Sequence, residues 1–329
     1  MYRFSRTVVA AALAVALGAS SALAAEVKVA LNGVLDPKVN AEAAFVKGLE
    51  DALAGTGFTV TAFPSETIGK ESERFDMVSQ GLIHVNLASV NTAFGLSPLV
   101  KGVQLPFFFQ DAAEFDRVIA ESALLEQMNE PLVSNGVRIA GFNYIGVAMG
   151  FHNTKTPVTK IDDLGSLRLR AMNGEQLKFM ESLGAHGTIV AWSEVANALQ
   201  TGIADGYMNP PNSALRTGHT DFLKYFTQAN ISPSTRLVLV SQDWYDGLSA
   251  EEQATIDKAL EAGIAANRAW VDDWAALVLE RQKEAGVTVS ELAPGERDKM
   301  VERATSIYLD VLSEDDLAKY QAAVDSVRK

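Results

Sequence analysis

Two arginines in the run LRLRA mark the part of this sequence with the clearest capacity for chemistry. Arg168 and Arg170 alternate with apolar residues, which predicts a half-buried strand. An arginine at the end of such a strand needs an anionic partner, because burying an unpaired charge is costly. Its planar fork of donors suits a carboxylate. That carboxylate belongs either to the chain, with Glu194 and Asp205 as candidates, or to an acidic ligand.

Catalytic motifs are missing from the rest of the sequence. It contains no HExxH, GxSxG, P-loop, GxGxxG or EF-hand pattern, no cysteine, and four histidines without ligand-like spacing. We therefore expect no catalytic residues, no metal and no cofactor, and a binding protein rather than an enzyme. An exported hydrolase or lyase that uses Glu71 and Glu194 is the enzymatic alternative.

The first part of the chain predicts a parallel sheet. Alternating or apolar runs at 27–31, 58–63 and 84–88 are separated by predicted helices at 39–53 and 71–79. Ligands of such sheets lie beyond the carboxyl ends of the strands. Asn32 follows the first strand and Ser89 follows the third, so both are candidates for one edge of a cleft.

One long helix is predicted after the capping box Ser249-Ala250-Glu251-Glu252. Apolar residues recur on one face as far as Val278, and Gly286 is the expected stop. Some 36 residues of helix would extend about 54 Å. This exceeds one domain, so the helix is expected to bridge two.

Composition and charge narrow the choice of partners. The chain has 329 residues, of which 48% are hydrophobic, and a net charge of -13. This length allows two domains. An acidic chain without a basic patch is a poor partner for nucleic acid or for anionic membranes.

The amino terminus reads as a secretory signal peptide. Arg3 and Arg6 precede an apolar core from Val8 to Leu17, and Ala22-Leu23-Ala24 forms a small-x-small site. The core is shorter than the roughly 20 residues that span a membrane. We predict cleavage after Ala24 and a periplasmic mature protein.

The stretch from Asp163 to Pro211 carries a family resemblance. It contains a strand that ends in arginine, then LGA, W-S-E-V, ALQTG, DG and NP in that order. This arrangement resembles the solute-binding proteins of tripartite ATP-independent periplasmic (TRAP) transporters. The resemblance implies that Arg170 binds the ligand carboxylate, that Trp192 packs on the ligand, and that Asn209 and Asn173 contact it.

Further site residues follow from the same resemblance. It implies that Asn32 is a polar ligand contact, that Ser89 stands where some members have an acidic residue, and that Glu71 is an acid at the cleft rim. Arg236 is a candidate charge supplied from a crossover strand. A second arginine that many members carry is replaced by Gly150. Ligands that need two guanidinium clamps are therefore less expected, and a smaller monocarboxylate, a zwitterion or a solute that stacks on Trp192 is favoured.

The resemblance also implies the architecture and the partners. It implies an α/β fold of two domains, of the type II-like periplasmic solute-binding kind, with mixed sheets flanked by helices. We predict a first domain of residues 25–147 and 236–268, a second of residues 148–235 and 269–329, and the ligand cleft between them. The monomer would close on an organic acid and deliver it to the small and large membrane subunits. A binding component of an ATP-driven importer or of a sensor remains the alternative.

Overall fold

Alternating strands and amphipathic helices build the protein, as a computed structural model shows for residues 25–65 and 67–328. The predicted signal peptide and its cleavage site lie outside the described residues. In the described ranges the strands are β1 (Ala25–Ala30), β2 (Phe58–Phe63), β3 (Val85–Ala88), β4 (Val137–Tyr144), β5 (Gly150–Asn153), β6 (Arg168–Ala171), β7 (His186–Ile189), β8 (Gly206–Asn209), β9 (Tyr225–Gln228), β10 (Thr235–Ser241) and β11 (Thr288–Glu291). The α-helices are α1 (Ala41–Leu53), α2 (Glu71–Ser79), α3 (Ala112–Glu121), α4 (Leu124–Val133), α5 (Gly174–Ser182), α6 (Val195–Gln200), α7 (Asn212–Thr217), α8 (Gln242–Asp246), α9 (Ala250–Ala275), α10 (Val278–Glu284), α11 (Glu296–Ser306), α12 (Tyr308–Val311) and α13 (Glu314–Val327).

The strands form two sheets, each the centre of one lobe. The first lobe contains the order β2-β1-β3-β10-β4, and the second contains β11-β9-β5-β8-β6-β7. β1 pairs in parallel with β2 and β3, as predicted, while β10 runs antiparallel to β3 and β4. The chain crosses between the sheets from β4 to β5 and returns from β9 to β10. The predicted mixed-sheet α/β fold is confirmed.

Helices α1 and α9 form the closest helix pair of the first lobe. Asn40 caps α1 by accepting a hydrogen bond from the Glu42 amide. A Cβ on Gly48 would lie 2.6 Å from the Ala266 Cβ and 2.8 Å from the Ala262 carbonyl oxygen. Glycine therefore permits a contact between the two backbones that a side chain would prevent.

The predicted long helix is interrupted, which corrects its extent. The capping box at Ser249 is present, but α9 ends at Ala275 and α10 begins at Val278. The 26 residues of α9 extend about 39 Å instead of about 54 Å. After the break α10 buries Val278 and Gln282, and the Gln282 side chain donates a hydrogen bond to the Pro211 carbonyl. The turn between α9 and α10 lets α10 pack on the second lobe. A straight continuation of α9 would not reach this position.

The last helix packs on the first lobe. Arg328 pairs with Glu114 of α3 at 2.7 Å, and the Tyr320 hydroxyl donates to the Leu99 carbonyl at 2.9 Å. The first sheet contains the strands up to Tyr144 and the strand that begins at Thr235, and the strands between them lie in the second sheet. Helix α13 nevertheless packs away from the domain to which residues 269–329 were assigned, because the buried Tyr320 needs the apolar surface around Leu99. The domain division as a whole stays a prediction.

Candidate ligand-binding cleft

A cavity of about 640 Å³ lies between the two lobes. Its size falls in the range of small-molecule sites. Residues of both lobes line it, so a bound molecule would contact both sheets. The predicted site residues that line it are Asn32, Glu71, Ser89, Arg170, Trp192, Asn209 and Arg236.

Arg170 lies at the end of β6 and is 3% exposed. Its Nε donates to the Val190 carbonyl at 2.8 Å, which fixes the plane of the guanidinium group. No carboxylate of the described residues forms an ion pair with it. The internal salt bridge to Glu194 or Asp205 is therefore wrong. Asp205 instead pairs with Lys155 at 2.8 Å.

The charge of Arg170 persists despite its burial. Burial lowers its pKa to about 10, against the opposing influence of Glu71 across the cavity. The group thus stays cationic at neutral pH. A buried cation that lines a cavity without a protein counter-ion is the feature expected of an anion-binding site.

Trp192 flanks Arg170. The Arg170 Cζ lies 5.5 Å from the centre of the tryptophan ring. Tyr207 and His219 support the other parts of the ring, with centroids at 5.8 Å and 5.7 Å. Burial and, to a smaller extent, the nearby Arg216 together lower the pKa of His219 to about 4. His219 is therefore neutral at pH 7, so the Trp192 ring packs against an uncharged imidazole.

The two asparagines predicted on the second lobe have different positions. Asn209 ends β8 and lines the cavity, with its Nδ2 3.4 Å from the Ser213 hydroxyl. Asn173 does not line this cavity; its side chain caps α5 by accepting from the Gln176 amide at 2.8 Å. The capping bond uses the side-chain oxygen. Gln176 lines the cavity instead.

Glu71 organises the first-lobe side of the cavity. It accepts hydrogen bonds from Asn32 Nδ2 at 2.7 Å and from the Ser89 hydroxyl at 2.8 Å, and it pairs with Arg236. Burial by itself raises the pKa of Glu71, but Arg236, the Ser89 hydroxyl and Arg74 outweigh burial and lower the pKa to about 2. Glu71 is therefore an anion whose hydrogen-bond acceptor positions are largely occupied. It has no proton to donate at neutral pH, so it is not suited to act as a general acid.

Arg236 is held by the protein itself. Its Nε lies 2.7 Å from Glu42 Oε1, its NH1 donates to the Ser89 hydroxyl at 2.8 Å, and its NH2 contacts Glu71. Both carboxylates are buried or partly buried, so the pairing is strong enough to fix all three side chains. Arg236 lines the cavity, but its charge is already balanced.

Three charged residues of this region were missed by sequence reasoning. Glu42 is fully buried and accepts the Asn32 amide at 2.7 Å. Arg74 is also buried, pairs with Glu71 at 3.7 Å, and donates to the Leu31 carbonyl at 3.0 Å. Arg216 comes from α7 and lines the cavity. The spacing of Glu71 and Arg74 on one helix face was an available signal. No local sequence pattern marks Glu42 or Arg216 as part of the cleft.

The cleft carries a surplus of positive charge. Five cationic side chains (Lys70, Arg74, Arg170, Arg216, Arg236) face three carboxylates (Glu42, Glu71, Asp76) in and immediately behind its wall. Such a set attracts anions and is unsuited to cations. Within the described residues no group of three or more His, Cys, Asp or Glu side chains is arranged to hold a metal ion.

Gly150 has a packing role in β5. A Cβ at this position would lie 2.4 Å from the Thr227 carbonyl oxygen and 2.7 Å from the Phe226 ring. The Thr227 backbone cannot move away from a new Cβ as easily as a flexible side chain could. The strand is thus packed for glycine, and an arginine from this position would require a different neighbouring strand.

Two α/β lobes with an anion-attracting cleft between them define a solute-binding protein. In the described part of the chain, no helix combines the length and apolar character required to cross a membrane. The family model "Bacterial extracellular solute-binding protein, family 7" matches residues 30–315. The chain belongs to this family, which comprises solute-binding components of TRAP transporters that work with membrane permease subunits.

Individual relatives agree with this assignment. The chain is 28% identical to the ectoine/5-hydroxyectoine-binding periplasmic protein of Ruegeria pomeroyi over 73% of this chain and 72% of that protein. It is 28% identical to the C4-dicarboxylate-binding periplasmic protein of Rhodobacter capsulatus over 76% and 75%. A TRAP periplasmic solute-binding protein of Bordetella bronchiseptica, described with pantoate, superposes with a TM-score of 0.81 at 26% identity, over 92% of this chain and 99% of that one.

A further solved structure supports the fold alone. The sugar-acid-binding protein of Advenella mimigardefordensis in complex with galactonate has a TM-score of 0.83 over 92% of this chain and 98% of that one, at 22% identity. Its similarity confirms the two-lobed architecture.

Proposed function

We propose that this protein captures a small carboxylate-bearing solute between its lobes and delivers it to the membrane subunits of a TRAP transporter. The observation that carries this proposal is Arg170, a buried guanidinium group that lines the cavity and has no protein counter-ion. Its Nε is occupied by the Val190 carbonyl. The two terminal nitrogens are the donors that a carboxylate would take in a two-pronged contact.

The surrounding residues supply orientation. Trp192 offers an aromatic face next to Arg170, and Asn209 offers an amide on the same lobe. Asn32 and Ser89 lie across the cavity, where Glu71 and Arg236 hold them in place. A ligand that touches both lobes stabilises the closed arrangement over the open one, because only the closed arrangement provides all the contacts.

The same arrangement supports capture without turnover. The polar groups of the cleft bind one another in fixed pairs, and Glu71 is ionised far below neutral pH. The proposal includes export by the predicted signal peptide, cleavage after Ala24 and a periplasmic location. Relatives named as periplasmic binding proteins support that location.

A thermal-shift screen of the mature protein tests the proposal. Organic acids, sugar acids, sulfonates and compatible solutes are added singly. A ligand at 100 times its dissociation constant adds about 2.7 kcal/mol of stability. We expect at least one carboxylate to raise the melting temperature and to be recovered unchanged. Recovery of a converted product would favour the hydrolase or lyase instead.

Arg170→Ala is the decisive variant. Loss of one partner from a buried charged contact costs about 2–5 kcal/mol, which corresponds to at least about thirtyfold in affinity. Arg168→Ala is the matched control, because Arg168 lies on the same strand but is exposed. Affinity that stays within about threefold in Arg170→Ala would refute the role of Arg170, since about threefold is below the effect of a single good hydrogen bond to a charge.

A further inference from the structure

Arg216 is, after Arg170, the second guanidinium group of the cavity that forms no ion pair with a carboxylate of the described residues. It lies on α7, seven residues after Asn209, and lines the cavity. Its NH1 is 3.5 Å from the Asn32 carbonyl oxygen and 3.5 Å from the Asn40 side-chain oxygen. Contacts at that distance are at the limit of a hydrogen bond. Its Nε is buried and has no hydrogen-bond partner among the described residues.

The four arginines of the cleft therefore fall into two pairs. Arg74 and Arg236 belong to the first-lobe network and are neutralised by Glu71 and Glu42. Arg170 and Arg216 both come from the second lobe, and no described carboxylate forms an ion pair with either. Buried charges in proteins are normally paired. The two guanidinium groups without an ion pair are thus the two that the second lobe presents to the cavity.

We propose that Arg216 is a second anion-binding point, which selects solutes that carry two acidic groups. One carboxylate would bind Arg170, and the second would bind Arg216. The inference rests on the proposed function, because it assumes that Arg170 binds a carboxylate. It replaces the expectation drawn from Gly150 that the ligand meets a single guanidinium group, since the second group comes from a helix instead of the strand.

The remaining wall indicates the chemistry between the two acids. Hydrogen-bonding side chains line it from both lobes: Asn91, Thr92, Gln104, Gln176, Asn209 and Ser234. These groups suit hydroxyls on the carbon chain. The ligand class is therefore a dicarboxylate, preferably hydroxylated.

Binding of matched diacids and monoacids distinguishes an anion-binding role of Arg216 from a purely structural one. Calorimetry compares galactarate with galactonate, and succinate with 4-hydroxybutyrate. In each pair one CH₂OH group replaces one carboxylate. We expect the wild type to bind at least one diacid about tenfold or more tightly than its matched monoacid, which is the scale of one charged contact. Arg216→Gln should remove that preference by weakening the diacid about tenfold and the monoacid less than about threefold.

Two further variants make the outcomes distinct. Arg170→Gln should weaken both members of a pair, whereas Arg168→Gln should weaken neither. Circular dichroism and melting of each variant verify folding. Equal losses for both acids in Arg216→Gln would show that Arg216 only braces the lobes through Asn32 and Asn40, and would overturn the inference.

Failure of the inference and failure of the proposed function give different results. If neither diacid binds, or if monoacids bind equally well, Arg216 is not an anion-binding point, while the proposed function stands on any acid that depends on Arg170. If no acid in the wider screen binds, or if Arg170→Gln has no effect, the proposed function itself fails.

Discussion

Replacement of Glu71 by glutamine tests the charge network that shapes the first-lobe side of the cleft. The carboxylate accepts from Asn32 and Ser89 and pairs with Arg236 and Arg74. Glutamine keeps the size of the side chain but removes its charge. The two arginines would then depend on fewer carboxylates in a buried setting. Breaking such a pair typically costs about 3–5 kcal/mol.

The pKa of Glu71 gives an independent magnitude. The network lowers it from the ordinary value of 4.5 to about 2. That difference corresponds to about 3 kcal/mol of folding stability at pH 7. Because the folded-state pKa is the lower one, this contribution is complete above about pH 4.5. It is lost as the pH falls towards 2. At pH 3 about 1.4 kcal/mol of it remains.

Urea unfolding at a series of pH values measures both effects. We expect Glu71→Gln to lower the free energy of unfolding by about 3 kcal/mol at pH 7, and the gap to the wild type to shrink by about 2 kcal/mol at pH 3. Glu73→Gln is the control for the loss of an exposed charge on the same helix, where the carboxylate accepts only the Lys70 amide among the described residues. A gap below about 1 kcal/mol at pH 7, or one that does not change with pH, would refute the reasoning about buried charge.

Three other substitutions test packing and capping. Gly150→Ala should destabilise the protein by about 1–3 kcal/mol in urea unfolding, because the new Cβ meets the Thr227 carbonyl; an unchanged midpoint would contradict this. Asn267→Ala should cost about 2–4 kcal/mol by the same assay, since the side chain bonds the Tyr144 amide and carbonyl, and a loss below about 1 kcal/mol would show that water replaces it. Ser249→Ala should lower the melting temperature through a loss of about 1 kcal/mol and leave ligand affinity unchanged; altered affinity would indicate that the start of α9 influences closure.

Local patterns account for much of the first lobe. The predicted elements 58–63 and 71–79 coincide with β2 and α2. In β2 the strand-like alternation of side chains is visible within six residues. The residues at which α2 begins and ends can also be recognised in the sequence. The positions of Asn32 and Ser89 at one sheet edge also followed from the sequence. Parallel strands place their carboxyl ends together, so the element order alone puts both residues beside the cleft.

Features that depend on neighbours distant in sequence were not predictable in this way. Nothing local marks the break after Ala275, because alanine and leucine are good helix formers; the turn follows from the packing of α10 on the second lobe. Asn173 matched a contact position, yet the start of α5 required its oxygen as a cap. Four-residue strands such as β9 and β11 have too few residues to show a period.

The sequence by itself determined the family and the two-lobed fold, and it predicted Arg170 as a ligand-binding residue, because these inferences depend on short motifs and on their order and spacing along the chain. Tertiary structure decided which charges are balanced. Glu71 and Arg236 are 165 residues apart and meet only when β10 is inserted beside β3. Their pairing leaves Arg170 and Arg216 as the guanidinium groups of the described cleft that form no ion pair with a carboxylate. Charge balance at a buried site depends on distances in space, and sequence spacing does not report those distances.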